Sequence, residues 1–152
     1  MSRFPQANVH PDAKIGEGVV IEPFATVQGD VVIGDSSWIG AGAIIWDGAR
    51  LGKNVKVFPA ASVSSPPQDL KFAGEKTETH IGDGTVIRES VTISRGTADK
   101  FKTVIGSNCL LMAYVHVAHD CIIGNNCILA NAVQVAGHVS IDDWAIIAGA
   151  SA

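Results

Sequence analysis

The sequence predicts an all-β parallel β-helix, and three observations carry that prediction. Stepping in sixes from Val9 meets Ile15, Ile21, Val27, Ile33, Ile39, Ile45, Leu51, Val57 and Val63. The step resumes at Ile81, Ile87 and Ile93, and again from Ile105 through Leu111, Val117, Ile123, Leu129, Val135 and Ile141 to Ile147. Four residues after these positions runs a second series of small or β-branched residues: Ala13, Val19, Ala25, Val31 and Ser37 early, Thr85, Val91 and Thr97 in the middle, Cys109, Val115, Cys121 and Cys127 later. Glycine often follows the aliphatic residue, as at Gly16, Gly34, Gly52, Gly106 and Gly124. A helix requires a period of 3.6 and a half-buried strand a period of 2, so a strict six fits neither. It fits hexapeptide repeats, each forming one flat side of a triangular coil, with three sides to a full turn. The aliphatic residue then fills the interior, the small residue fits the bend, and coils stack by parallel pairing about 4.8 Å apart. Proteins with repeats of this kind wind left-handed, against the usual crossover preference, and that resemblance implies a left-handed coil here.

Composition agrees. At 152 residues a single domain over 1–152 is expected. Apolar residues make up 47% but aromatics only 6%, so the core must be aliphatic. A formal net charge of −4 argues against nucleic acid as a partner. No apolar run approaches the roughly 18 residues of a membrane span, and the first ten residues contain no apolar signal core, so a cytoplasmic location is expected. Cys109, Cys121 and Cys127 form no CxxC pair and fall in the small-residue series. Although Cys109 and Cys127 are one coil apart, reduced core thiols are expected in place of a disulfide.

Asp69, Glu75 and Asp99 break the aliphatic series and mark two interruptions, residues 64–80 and 94–103, rich in Pro, Gly and charge. They read as loops projecting from the coil, where sites tend to be built. Lys71, Lys76, Arg88, Arg95, Lys100 and Lys102 lie in or between them, out of eleven Lys and Arg in the chain, and residues 103–152 contain none. An acidic partner would therefore dock near the middle segment. The sequence stops at Ala152 within a repeat and shows no capping segment, so a shortened molecule is expected.

The histidines take meaning from this scaffold. Val117 points inward, so His116 points outward and His119 falls at the following turn. Asp120 and His138 are separated by one full coil, as are His119 and Gly137, which stacks them on successive coils. An outward cluster of three histidines and a carboxylate beside a glycine is the expectation. A histidine held by a carboxylate is a general base, and a glycine N–H can stabilise an oxyanion, a combination suited to acyl transfer to a hydroxyl. Zinc held between subunits by histidines is the rival. Carbonic anhydrases with hexapeptide repeats are built that way, but with HxxxxH where this chain has HxxH. His10 and His80 read as surface residues.

At the level of longer motifs the chain resembles the acyl-carrier-protein-dependent UDP-N-acetylglucosamine O-acyltransferases of lipid A biosynthesis. The resemblance rests on residues 67–75 (PQDLKFAGE), 87–97 (IRESVTISRGT), 110–121 (LLMAYVHVAHDC), 125–131 (NNCILAN) and 136–147 (AGHVSIDDWAII). It implies that His119 deprotonates the glucosamine 3-hydroxyl with support from Asp120, and that the Gly137 N–H forms the oxyanion hole. It implies that Gln68, Asp69, Lys71, His116 and His138 hold sugar and phosphate, with Met112 near the acyl groove. The implied partners are acyl carrier protein bearing a 3-hydroxyacyl thioester and UDP-N-acetylglucosamine, in a homotrimer with sites between subunits and no cofactor or metal. A related N-acyltransferase acting on acylated glucosamine is the nearest alternative, which QDLK followed by RGT disfavours. Ser94 stands where members of the family carry a histidine that contacts substrate. The resemblance also implies that the family's later coils and helical C-terminal domain are absent, and hence that little or no activity is expected of this chain by itself.

Overall fold

The computed structural model describes residues 3–152, and it is a left-handed parallel β-helix of three seven-stranded faces. Face A carries Asn8–Val9, Thr26–Val27, Ile44–Ile45, Ser62–Ser65, Thr92–Ser94, His116–Val117 and Gln134–Val135. Face B carries Lys14–Ile15, Val32–Ile33, Ala49–Leu51, Glu78–Ile81, Lys102–Ile105, Ile122–Ile123 and Ser140–Ile141. Face C carries Val20–Ile21, Trp38–Ile39, Lys56–Val57, Val86–Ile87, Leu110–Leu111, Ile128–Leu129 and Ile146–Ile147. Each coil visits A, B and C in turn, and every pairing is parallel, with Val117 beside Val135 and Leu111 beside Leu129.

The aliphatic series is the core. Ile33, Ile39, Ile45, Ile87, Ile93, Ile105, Leu111, Ile123 and Leu129 are all fully buried. Because strands within a face are only about 4.8 Å apart, like residues stack directly. The interior is a column of branched side chains, with Phe4 at its first end. At the other end the interior opens into an apolar recess of about 310 Å³ lined by Val133, Val135, Val139, Ile141 and Ile147.

The bends demand unusual backbone. Sixteen non-glycine residues among those described have φ between 54 and 69°, including Asn54, Asn108, Asn126, Asp120 and His138. Asn and Asp tolerate this left-handed region better than most residues. The glycines that follow the aliphatic series answer a different demand. A Cβ on Gly106 would lie 2.5 Å from the carbonyl oxygen of Gly124 and from Asn125 Oδ1. At this bend successive coils touch backbone to backbone, and a side chain would force them apart. The same bend is laced by side-chain oxygens: Asp35 accepts from the Glu17 N–H, Asn125 from Ser107 and Asp143 from Asn125, at 2.7–2.9 Å.

Two sequence expectations need correction. The interruptions are shorter than 64–80 and 94–103, because strands run through Ser65, from Glu78, through Ser94 and from Lys102, leaving loops 66–77 and 95–101. Thr97 is not a corner residue of the small series. Thr79 and Thr103 fill that column on face B between Ala49 and Cys121, because the inserted loops displace the count. From Val63 to Ile81 the chain runs three repeats where an uninterrupted corner takes one, and from Ile93 to Ile105 it runs two. Both insertions are whole repeats, so the phase of the pattern survives.

Cys109, Cys121 and Cys127 are buried free thiols, as expected. Each Sγ faces a carbonyl of the following coil, Gly124, Ala136 and Asp142 respectively, at 3.0–3.1 Å. Burial pushes the Cys109 and Cys121 thiols above their ordinary range. Since a reagent must reach the sulfur and all three are buried, all three should react slowly with a disulfide reagent in native buffer and fully after denaturation. Three rapidly modified thiols in the native state would contradict this packing. For the glycine bend, Gly106→Ala is expected to lower stability by about 1–3 kcal/mol, the usual scale for overpacking, measured as a fall in urea midpoint with unchanged slope.

Candidate active site

The two inserted loops leave the coil at the same bend, between faces A and B. His119–Asp120 and Gly137–His138 occupy that bend in the next two coils. The constant coil length therefore stacks both loops and three of the sequence-selected polar residues on one edge of the prism. Loop residues Asp69, Lys71, Glu75, Thr97 and Asp99 line a cleft of about 320 Å³ together with His138.

Asp120 departs most from the sequence expectation. It is not part of an outward cluster; it is 0% exposed, and it is the only buried charged residue among the described residues. The left-handed backbone of Asp120 (φ 59°) turns the side chain under the second loop, not into solvent. A buried carboxylate requires donors, and it has them. The Thr97 N–H donates to Oδ1 at 2.9 Å, the Thr97 hydroxyl donates to Oδ2, and the Lys100 N–H donates to Oδ1 at 3.3 Å. His119 Nδ1 lies 2.8 Å from Oδ2. The Asp120 N–H in turn donates to Thr103 Oγ1 at 2.9 Å, and Lys100 Nζ donates to the Asp120 carbonyl at 3.2 Å.

Burial by itself would raise the carboxyl pKa, but the bonds from Thr97, His119 and Lys100 outweigh it and hold Asp120 below its ordinary range. The sign matters for pH. A depressed carboxyl pKa gives stability that is present above the unfolded value of about 3.9 and is lost only as pH falls through the folded one. Asp120 therefore keeps its charge throughout mildly acidic and neutral conditions.

The side chain of His119 is 15% exposed and is held through one ring nitrogen. Nδ1 meets Asp120, which leaves Nε2 directed to the cleft side, 3.8 Å from Asp69 Oδ2. Gly137 lies above the ring, and a Cβ there would come within 2.7 Å of a His119 ring carbon. No other residue type fits without displacing the imidazole. The Gly137 N–H has no hydrogen-bond partner among the described residues. His138, with φ 64°, packs edge-on against His119 at 5.0 Å between ring centres and places Nδ1 3.2 Å from Asp99 Oδ2.

The remaining selected residues are more dispersed. His116 sits half-buried on the outer surface of face A, its Nδ1 hydrogen-bonded to Thr92 Oγ1 at 2.7 Å. Burial pushes its pKa down, and the neighbouring His119 adds to that, so it is neutral at pH 7. Gln68 is exposed on the first loop. Met112 lies at the bend between faces C and A, across face A from the cleft. Ser94 is buried and does not line the cleft. Of the basic residues, Lys71, Lys76, Arg95, Lys100 and Lys102 belong to the loop edge, but Arg88 does not. It follows a face C strand, pairs with Glu89 at 2.7 Å and stacks over Phe58.

Sequence reasoning missed Thr97, Thr103 and Lys100 as partners of Asp120. The only cue was their position within RGTADKFKT, an interruption that the fold lays directly over the carboxylate. One ligand atom from each of His119, Asp120 and His138 lies within 4.8 Å of the others, so a divalent ion is the arrangement's second chemical possibility. The donor set disfavours it. Both oxygens of Asp120 already accept hydrogen bonds, and His119 Nδ1 is committed to that carboxylate. The arrangement is that of a histidine base oriented by a carboxylate, beside a backbone N–H and an open cleft.

Comparison with known proteins finds acyltransferases among those the chain resembles. The family described as bacterial transferase hexapeptide (six repeats) matches residues 102–137. The chain is 50% identical over 118 residues to the acyl-[acyl-carrier-protein]–UDP-N-acetylglucosamine O-acyltransferase of Chlorobaculum parvum, covering 78% of this chain and 45% of that protein. Among solved structures, the UDP-N-acetylglucosamine acyltransferase of Bacteroides fragilis superimposes with a TM-score of 0.91 at 50% identity, over 93% of this chain and 56% of that one. The enzyme of Francisella novicida gives 0.95 at 40% identity, over 97% and 54%. The chain spans less than half the length of the curated relatives it matches. No helix among the described residues is long and apolar enough to cross a membrane. In both sequence and coil geometry, the chain is similar to acyl-carrier-protein-dependent UDP-N-acetylglucosamine O-acyltransferases over about half of their length.

Proposed function

We propose that this chain carries the proton-transfer half of an acyltransferase site that moves a (3R)-3-hydroxyacyl group from acyl carrier protein to the glucosamine 3-hydroxyl of UDP-N-acetylglucosamine. The observation that supports it most is the pinned His119: Nδ1 on a buried, ionised Asp120, Nε2 toward the cleft. In this reading Nε2 takes the proton of the 3-hydroxyl as its oxygen attacks the thioester carbon. The Gly137 N–H donates to the oxyanion, and Asp120 stabilises the imidazolium. Collapse expels the carrier thiolate, which takes the proton back from Nε2, leaving ester and thiol. Asp69, next to Nε2, orients the sugar hydroxyls. Lys71, Gln68, His116 and His138 hold sugar and phosphate, and Met112 lies along the acyl path. Ser94, being buried, supplies none of the contact that a histidine gives the family at that position.

The proposed partners are the acylated carrier protein, the sugar nucleotide and two further copies of the chain in a homotrimer. The proposed location is the cytoplasm, consistent with three free thiols. A base needs a free imidazole nitrogen, so no metal is required.

For the full-length protein, His119→Ala should lower kcat by at least about 10²-fold with little change in UDP-N-acetylglucosamine binding, whereas His116→Ala should weaken that binding. Asp120→Asn should fall between them, and chelators should leave the rate unchanged. Near-normal kcat in His119→Ala, or loss with chelator and recovery with zinc, would overturn the reading.

Acidic carrier docking should follow the loop edge. Reversing Lys76 and Lys102 should raise KM for the carrier protein more than for the sugar nucleotide, and the effect should shrink with salt, since exposed charges are screened within about 8 Å at physiological ionic strength. Lys14→Glu, on face B near the first end of the coil, should leave both KM values near native. Equal effects on both substrates would count against this surface.

A further inference from the structure

The second loop does more than project from the coil. Thr97 is buried, and it contributes two of the donors to Asp120: its N–H to Oδ1 at 2.9 Å and its hydroxyl to Oδ2. The Asp99 N–H donates to Thr97 Oγ1 at 3.3 Å, which occupies a lone pair and leaves the hydroxyl proton directed at the carboxylate. Oδ2 is the oxygen that meets His119 Nδ1. Thr97 and His119 therefore share one acceptor atom.

We infer that Thr97 is a positioning residue for proton transfer, acting through Asp120 to hold the His119 proton on Nδ1 and its lone pair on Nε2. The inference rests on His119 serving as the base. A buried carboxylate touched only by an imidazole is free to rotate about its Cβ–Cγ bond and to swap oxygens, and the ring then loses its reference. Donors on both oxygens remove that freedom. The loop backbone supplies Oδ1 through Thr97 and Lys100, but on Oδ2 the Thr97 hydroxyl is the only hydrogen-bond donor beside the His119 ring, His138 Nε2 standing off at 3.9 Å. The hydroxyl is thus the one loop group that sets how strongly Oδ2 binds the imidazole. Because the loop is an insertion and not part of the repeat, its length and sequence can tune the base without altering the coil.

Thr97→Val keeps the volume and the backbone donor and removes only the hydroxyl. In the full-length protein it should lower kcat about tenfold or more, with KM for UDP-N-acetylglucosamine within about twofold of native. The acid limb of kcat should move to lower pH, because a carboxylate free to turn away from Nδ1 holds the imidazolium less tightly. Thr97→Ser should restore kcat to within about threefold. Nitrogen NMR of the His119 ring, which needs no turnover, should show a single Nδ1–H tautomer in the native protein and a mixture in Thr97→Val. Native kcat, pH profile and tautomer in Thr97→Val would overturn the inference, as would equal impairment of the Val and Ser variants with an unmoved acid limb. His119→Ala, measured in parallel, separates the two levels. Loss there with full activity in Thr97→Val removes Thr97 only, and near-normal activity there removes the base and this inference together.

Discussion

Everything in this molecule depends on a closed coil of constant length. Each uninterrupted coil returns to its starting face after three repeats, and parallel pairing locks it to the coil before, so residues a coil apart lie in contact. The interior then becomes a column of stacked Ile, Leu and Val, and burial of that column is the main stabilising contribution. The constraint leaves little freedom at the bends. One bend must bring backbones together, which explains the glycines at 34 and 106. All three bends contain left-handed residues.

The same constraint makes the site. Loops inserted at one bend cannot drift around the prism, because insertions of whole repeats leave the phase of the pattern unchanged. Both loops therefore emerge on the edge where the next two coils present His119–Asp120 and Gly137–His138. The coil acts as a ruler, and the irregular segments carry the chemistry. Asp69 reaches His119 from one loop, while Thr97 and Lys100 reach Asp120 from the other.

Electrostatically the site rests on a competition that burial loses. A carboxylate with no exposure should favour protonation, but four hydrogen bonds keep Asp120 ionised. Its charge is then unscreened by water and acts mainly on the His119 imidazole at 2.8 Å, with His138 Nε2 farther off at 3.9 Å. That focus separates an oriented base from a surface histidine such as His10, whose ring accepts from the nearby Asp12 N–H in an exposed turn.

The sequence by itself determined the coil, because a period of six is a local property repeated along the chain and needs no knowledge of distant contacts. It determined that His116 faces outward, that Gly137 covers His119 and that His138 stacks on Asp120, because all three follow from counting along the repeat. Only the tertiary structure decided that Asp120 is buried, that Thr97 belongs to it instead of to a corner column, and that Arg88 lies on a different edge from the loop lysines. Those facts depend on where two non-repeating loops fold back. A loop's path is set by its own turns and by the surface it meets, and neither leaves a period in the sequence.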